Sequence, residues 1–289
     1  MTGPGRVRGW IRRRPLPAFF LLAFGISWTL NGVVIALGME LSWTRWAISG
    51  LLSAAGPAIA AVIVVAAGDT SLRRWARGIV NWRVHPAWYA LAIGVPAGIS
   101  LGAAAVSTAV GGPIDWTGYR PDLLALAIGV VLAALIGGGQ EELGWRGFAQ
   151  PELQASIGAL PAALLIGIAW GLWHLPLFFD PLAPHAQWPL VSQLAYFVGI
   201  VGFSVLLAIV YNGTGGSILL AMVMHGGMNA LGALVPIDLD VVLIAGAVDY
   251  TALVSLSVAT ALVTWIAAAI VLLVAGRGLY RDRLSPSSG

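Results

Sequence analysis

The chain has no cysteine and no lysine, and charged residues make up only 9% of its 289 positions. Without cysteine there is no disulfide framework, no thiolate metal site and no cysteine nucleophile. A soluble domain carries about 25% charged residues, so the shortage of charge excludes the soluble globular class. What replaces the missing charge is apolar: 59% of residues are hydrophobic and the mean hydropathy is +0.89. This is the composition of an integral membrane protein with little mass outside the bilayer. The net charge of +3 sits in the termini and one loop, so it bears on orientation and not on nucleic acid. All 15 basic residues are arginine, and the abundance of Ala, Gly and Trp points to a GC-rich bacterial genome.

A spanning helix needs about 20 apolar residues. Hydropathy, with Gly, Pro and charge as punctuation, predicts eight: 17–38, 46–68, 87–110, 122–148, 158–179, 190–211, 217–236 and 252–275. The expected fold class is an all-α polytopic transmembrane helical bundle of about eight spans, a single domain over 1–289 with an intramembrane cavity. The connections are short, and no repeat at a fixed period is visible. The run after the basic 1–16 tail is too long for a signal-peptide core and is followed by no convincing cleavage site, so it reads as an uncleaved anchor. Twelve arginines then fall on one side: Arg6, Arg8, Arg12, Arg13, Arg14, Arg73, Arg74, Arg77, Arg83, Arg277, Arg281 and Arg283. Arg45 and Arg120 fall on the other, and the positive-inside rule places both tails, 1–16 and 277–289, in the cytoplasm of a bacterial cell. Gly94, Gly98 and Gly102 form a small-xxx-small series that reads as close helix packing.

Against this background Glu141-Glu142-Leu143-Gly144-Trp145-Arg146 is anomalous. One charge at mid-bilayer costs at least ~2.5–3.5 kcal/mol on insertion scales. Adjacent helical positions point about 100° apart, so the two carboxylates cannot share one task. Glu142 and Arg146 are i, i+4 and within ion-pairing reach, which leaves Glu141 to face a cavity as a candidate general base. His174 has Trp170 one turn before it and Pro176 just beyond, where the helix ends or kinks. His225 and Asn229 share a helix face, and the glycines between them, Gly226 and Gly227, leave room for a substrate backbone. An imidazole and a carboxamide so placed can donate to a developing oxyanion, or bond a neighbouring helix. At 1.5 Å per residue Glu141, His174 and His225 come out ~12–22 Å from the cytoplasmic ends of their helices, a spread a kink at 137–139 could absorb. His85 and His185 read as surface residues, and Asp180-Pro181 as a turn.

Glu-Glu-x-x-x-Arg, an aromatic-x-x-x-His and His-x-x-x-Asn, each in its own helix of an eight-span chain, resemble the CAAX protease and bacteriocin-processing family of intramembrane endopeptidases. Trp145 and Trp170 stand where that family usually has Phe, and neither is a reacting group. The resemblance covers roughly 140–230, within the 120–235 core. It implies peptide-bond hydrolysis in a cavity inside the membrane, Glu141 and His174 activating a water, His225 and Asn229 holding the oxyanion, and Glu142 and Arg146 supporting the site. A zinc ion on Glu141, His174 and His225 is the other possibility. The lack of H-E-x-x-H and the poor ligand Asn229 favour the glutamate-activated water.

The expected partners are the bilayer and a membrane-associated peptide or protein, reached from the cytoplasm or laterally. Two rivals stand beside the protease: a proton- or ion-coupled transporter, since buried Glu, Arg and His also mark proton pathways, and a non-catalytic membrane scaffold.

Overall fold

The computed structural model describes residues 4–68, 71–244 and 247–280. Arg281 and Arg283 of the C-tail lie outside the described residues, as does the start of the N-tail. A basic helix, α1 (Pro4–Arg13), precedes α2 (Pro15–Ala36), whose Pro15 sits in the first turn where its missing N–H costs nothing. The chain continues through a turn of helix, Trp43–Trp46, and a π-helical stretch, Ala47–Ser53, into α3 (Gly56–Ala67). Then come α4 (Pro86–Ala109), α5 (Leu123–Ile136), α6 (Gln150–Ile157), α7 (Ala159–Trp173), α8 (Leu190–Gly213), α9 (Ile218–Ala230) and α10 (Val254–Ala275). The only strand pairing among the described residues is a two-residue hairpin, Leu243–Ile244 with Ala247–Val248, and one isolated bridge, Ile114 with Ile237. The protein is therefore an all-α, polytopic integral membrane protein.

The eight apolar runs all form helix, but not eight uniform spans. Among the described residues five helices, counting Leu123–Ile157 as one, are long and apolar enough to cross a membrane, and the pair Trp43–Ser53 and Gly56–Ala67, bent by 43°, makes a sixth. The remaining two, Ala159–Trp173 and Ile218–Leu234, are shorter than a full crossing. The first is cut at His174 by Pro176; the second gives way to a 3₁₀ turn, Leu231–Leu234. The expected single helix over 122–148 also breaks. Gly137 ends α5, Gly138 takes φ +117°, and a 3₁₀ turn (Gly139–Glu141), an α turn (Glu142–Gly144) and a π turn (Trp145–Ala149) lead into α6. A left-handed residue is what glycine supplies at low cost, so the Gly triplet is where the chain changes direction.

Of the expected glycine series only Gly102 packs closely against another helix. A Cβ at Gly94 or Gly98 would meet nothing within 4 Å, so neither makes a close helix contact, and at Gly102 it would come 3.1 Å from Val263. The close approach is at Gly226, where a Cβ would lie 2.4 Å from the Ala134 backbone nitrogen of α5. The room beside His225 is thus filled by neighbouring helices, since Gly227 faces Ala92 and Pro96 of α4. The expectation that Gly226 and Gly227 make space for substrate is corrected accordingly.

The loops sort onto two faces. Ile218 donates its N–H to Gly78 O, Ser217 Oγ donates to Asn81 O, and the Trp88 and Tyr280 rings meet at 5.9 Å, gathering the arginine-rich loop and the region after α10 at one end. At the other end Asp115 and Asp238 donate backbone N–H groups to Pro236 O and Pro113 O. There Arg45 pairs with Asp180, both buried, so Asp180 is an anchor as well as a turn residue.

Candidate active site

The break after α5 delivers Glu141 and Glu142 to different surroundings. Glu142 is fully buried and its carboxylate is engaged on both sides: Arg146 Nη1 lies 2.9 Å from Oε2, and His225 Nδ1 lies 2.8 Å from Oε1. Arg146, also fully buried, continues through Nη2 to Ser204 Oγ (2.7 Å) and Ser204 O (3.2 Å) of α8, and its guanidinium lies 5.5 Å from the Trp170 ring. A buried charge is tolerated when it is both paired and hydrogen-bonded, and this chain from α9 through Glu142 and Arg146 to α8 meets that condition. The i, i+4 pairing is as the spacing predicts. The histidine at its far end is not visible in the spacing.

Glu141 instead faces a cavity of about 580 Å³. Its Oε2 accepts a hydrogen bond from Trp170 Nε1 at 2.8 Å. His174, His225 and Asn229 line the same cavity, so the four residues the sequence marks as chemical converge although they come from three separate parts of the chain. Trp170 does more than pack on an imidazole. Its ring is 5.9 Å from that of His174 and 5.0 Å from that of His225, and it orients Glu141.

The hydrogen bonds fix the tautomers. His174 Nδ1 lies 2.8 Å from Trp170 O, and a carbonyl only accepts, so Nδ1 carries the proton and Nε2 of the neutral ring is an acceptor. His225 Nδ1 likewise donates to Glu142, so its Nε2 donates only when the ring carries both protons, a charge the Glu142 carboxylate would balance. Asn229 Nδ2 donates one hydrogen to Gly137 O at 2.7 Å and keeps the other. Both donors converge over Gly138, where an added Cβ would lie 2.4 Å from Asn229 Nδ2 and 2.8 Å from His225 Nε2.

For zinc, the donor set does not fit this arrangement. No three His, Asp or Glu side chains among the described residues group as a metal site.

His185 corrects the expectation of a surface residue. It lines the cavity with its ring 4.3 Å from Trp188 and 5.5 Å from Tyr196, and burial pushes it down to about 4. Clustered aromatics in a Pro-rich loop were the only signal that could have revealed this. His85 instead caps α4, accepting from the Ala87 N–H at 3.2 Å. Trp145, one of the two departures from the usual Phe, is fully buried against Phe19, Phe20 and Trp173.

Apolar helices that enclose one carboxylate, two imidazoles and a carboxamide around one cavity, with a second carboxylate paired behind them, define an integral membrane protein with an interior acid/base site. Residues 123–231, which hold all five of these polar and charged groups, match the family described as Type II CAAX prenyl endopeptidase Rce1-like, so this part of the chain is similar to that family. A protein of Methanococcus maripaludis named CAAX prenyl protease 2 is 31% identical over 127 residues, covering 42% of this chain and 45% of the relative. The chain thus spans a little under half the length of that relative.

Proposed function

We propose that the protein is an intramembrane endopeptidase whose catalytic core is 120–235, cutting a membrane-associated peptide or protein. The name of the relative supports hydrolysis of peptide bonds, and one observation carries the reading on this chain: of two adjacent glutamates, Glu142 is buried in ion pairs with Arg146 and His225, while Glu141 is held by Trp170 and lines the cavity. A transporter needs a relay across the bilayer and a scaffold needs no open carboxylate, so the division of labour favours an enzyme.

The chemistry follows from the atoms. Glu141 accepts a proton from a water in the cavity, while Nε2 of His174 accepts a hydrogen bond from the same water and orients it. The water oxygen bonds to the scissile carbonyl carbon. The carbonyl oxygen takes up negative charge and is met by Asn229 Nδ2 and protonated His225 Nε2, which both lie close to Gly138. Collapse breaks the C–N bond as Glu141 hands its proton to the leaving amine. Donors preset for the oxyanion cost no reorganisation at that moment.

The arginine pattern supports both termini lying in the cytoplasm of a bacterial cell, with the protein in its cytoplasmic membrane. The test uses purified wild type and Glu141→Gln against a library of apolar peptides in detergent. Cleavage should fall about 10²–10⁴-fold in the variant, with melting unchanged. Equal cleavage by both, or ion flux in vesicles that Glu141→Gln abolishes, would remove the protease reading.

A further inference from the structure

The cavity is closed towards one face of the protein and reaches the other. From Glu141 towards the arginine-rich face, every layer is filled. Arg146 and Gln150 are fully buried, Gln154 donates to Asn212 Oδ1 at 3.1 Å, and Asn212 returns the bond to Gln154 Oε1. Every residue of α8 from Gly202 to Gly213 is buried. In the opposite direction the cavity continues along the first half of α8, past Ser192 and Tyr196, to His185, Trp188, Tyr250 and Leu253. These last four belong to the 181–189 and 247–253 segments, at the end where Arg45 pairs with Asp180 and 110–115 meets 236–238.

That end carries Glu40, Asp115, Asp122, Asp180, Asp238, Asp240 and Asp249 against Arg45 and Arg120, and Arg45 is consumed by Asp180. The closed end carries the arginines of α1, of Leu72–Arg77 and of Arg83 and Arg277. Charge asymmetry of this size orients a chain with its arginines in the cytoplasm. We infer that the substrate enters from the non-cytoplasmic face, so that the peptide cut is one presented outside the cytoplasm or from the outer leaflet. The inference rests on the protease reading for the word substrate, but the direction of the opening stands on geometry and charge alone. It also replaces the cytoplasmic access that the sequence left open.

The absence of cysteine makes the test clean, because a single introduced thiol is the only one to react. Tyr250→Cys and His185→Cys mark the mouth, Ser257→Cys the cavity wall on α10, and Arg74→Cys the closed face. Each is treated with a membrane-impermeant methanethiosulfonate in intact cells and in inverted vesicles. The expected result is modification of the mouth and wall thiols in intact cells, and of Arg74→Cys only in inverted vesicles. Modification of the mouth thiols only in inverted vesicles would overturn the proposal. So would a wall thiol that stays unreacted in intact cells while the mouth thiols react, because no water path would then join that face to the site. Two mouth positions guard against one misfolded variant. Labelling does not depend on catalysis, so a purified protein that cleaves nothing would remove the protease reading and leave the access path to be decided by the thiols.

Discussion

Along α8 the residues from Gly202 to Gly213 are buried on every side, while Leu190, Val191, Leu194 and Val198 are more than half exposed and Tyr196 and Gly199 border the cavity. The two halves of one helix solve different problems. In the filled half, Glu142, Arg146 and Ser204 form one bonded group and Gln154 and Asn212 another, so polar groups survive where water is absent. In the hollow half the walls are aromatic and aliphatic, and the polar groups point inward. Glu141 stands at the boundary, braced from the filled side and reactive on the hollow side.

Breaking the filled half should have the largest effect. Arg146→Ala strands Glu142 as a fully buried carboxylate with only His225 beside it, and should cost about 3–5 kcal/mol, read as lower yield and melting temperature in detergent. Wild-type melting would show that Glu142 is held by something other than Arg146. A smaller loss is expected at the boundary. Gly138→Ala puts a side chain at φ +117° and into the space between Asn229 and His225, which should cost about 1–3 kcal/mol and lower cleavage as well. Cleavage at the wild-type rate would argue against an oxyanion seated over Gly138.

The hollow half should respond to acid. His185 titrates near 4 in the fold and near 6.5 in the unfolded chain, so the unfolded state takes up the proton first. The contribution of its neutral form is complete above pH 6.5 and is lost as pH falls from 6.5 through about 4. His185→Phe should flatten that part of the melting profile, and an unchanged slope would assign the acid sensitivity elsewhere. The smallest effect belongs to the outer surface. Gly98→Leu enters open space and should change stability by no more than about 0.5 kcal/mol, whereas a large loss would mean that another chain packs there.

Sequence pattern revealed what is local. Glu142 and Arg146 are one helical turn apart, and His225 and Asn229 likewise, so spacing alone predicts shared faces. The eight apolar runs were readable because hydropathy is a property of consecutive residues. What spacing does not carry is which helix meets which. His225 on Glu142 spans 83 residues, Trp170 on Glu141 spans 29, and Arg45 on Asp180 spans 135. Gly226 was misread for the same reason: a small residue signals a close approach, and the sequence does not say whether a substrate or a helix makes it. The end of α7 at His174 follows from Pro176, but the mixed turns from Gly139 to Ala149 have no signature beyond three glycines.

The π turn at Trp145–Ala149 has a consequence for how this segment can vary. Such a turn is one residue longer than the α turn it replaces, and each residue added to or taken from a helix swings everything beyond it by about 100°. Arg146 lies inside the turn, and Gln150 and Gln154 lie after it. Five π residues sweep about the same angle as four α residues, so removing one residue after Arg146 would relax the turn to ordinary α-helix and keep Gln154 facing Asn212. The segment therefore holds a spare residue: a one-residue gap after Arg146 would leave α6 coupled to α8, where the same gap in an ordinary helix would uncouple them.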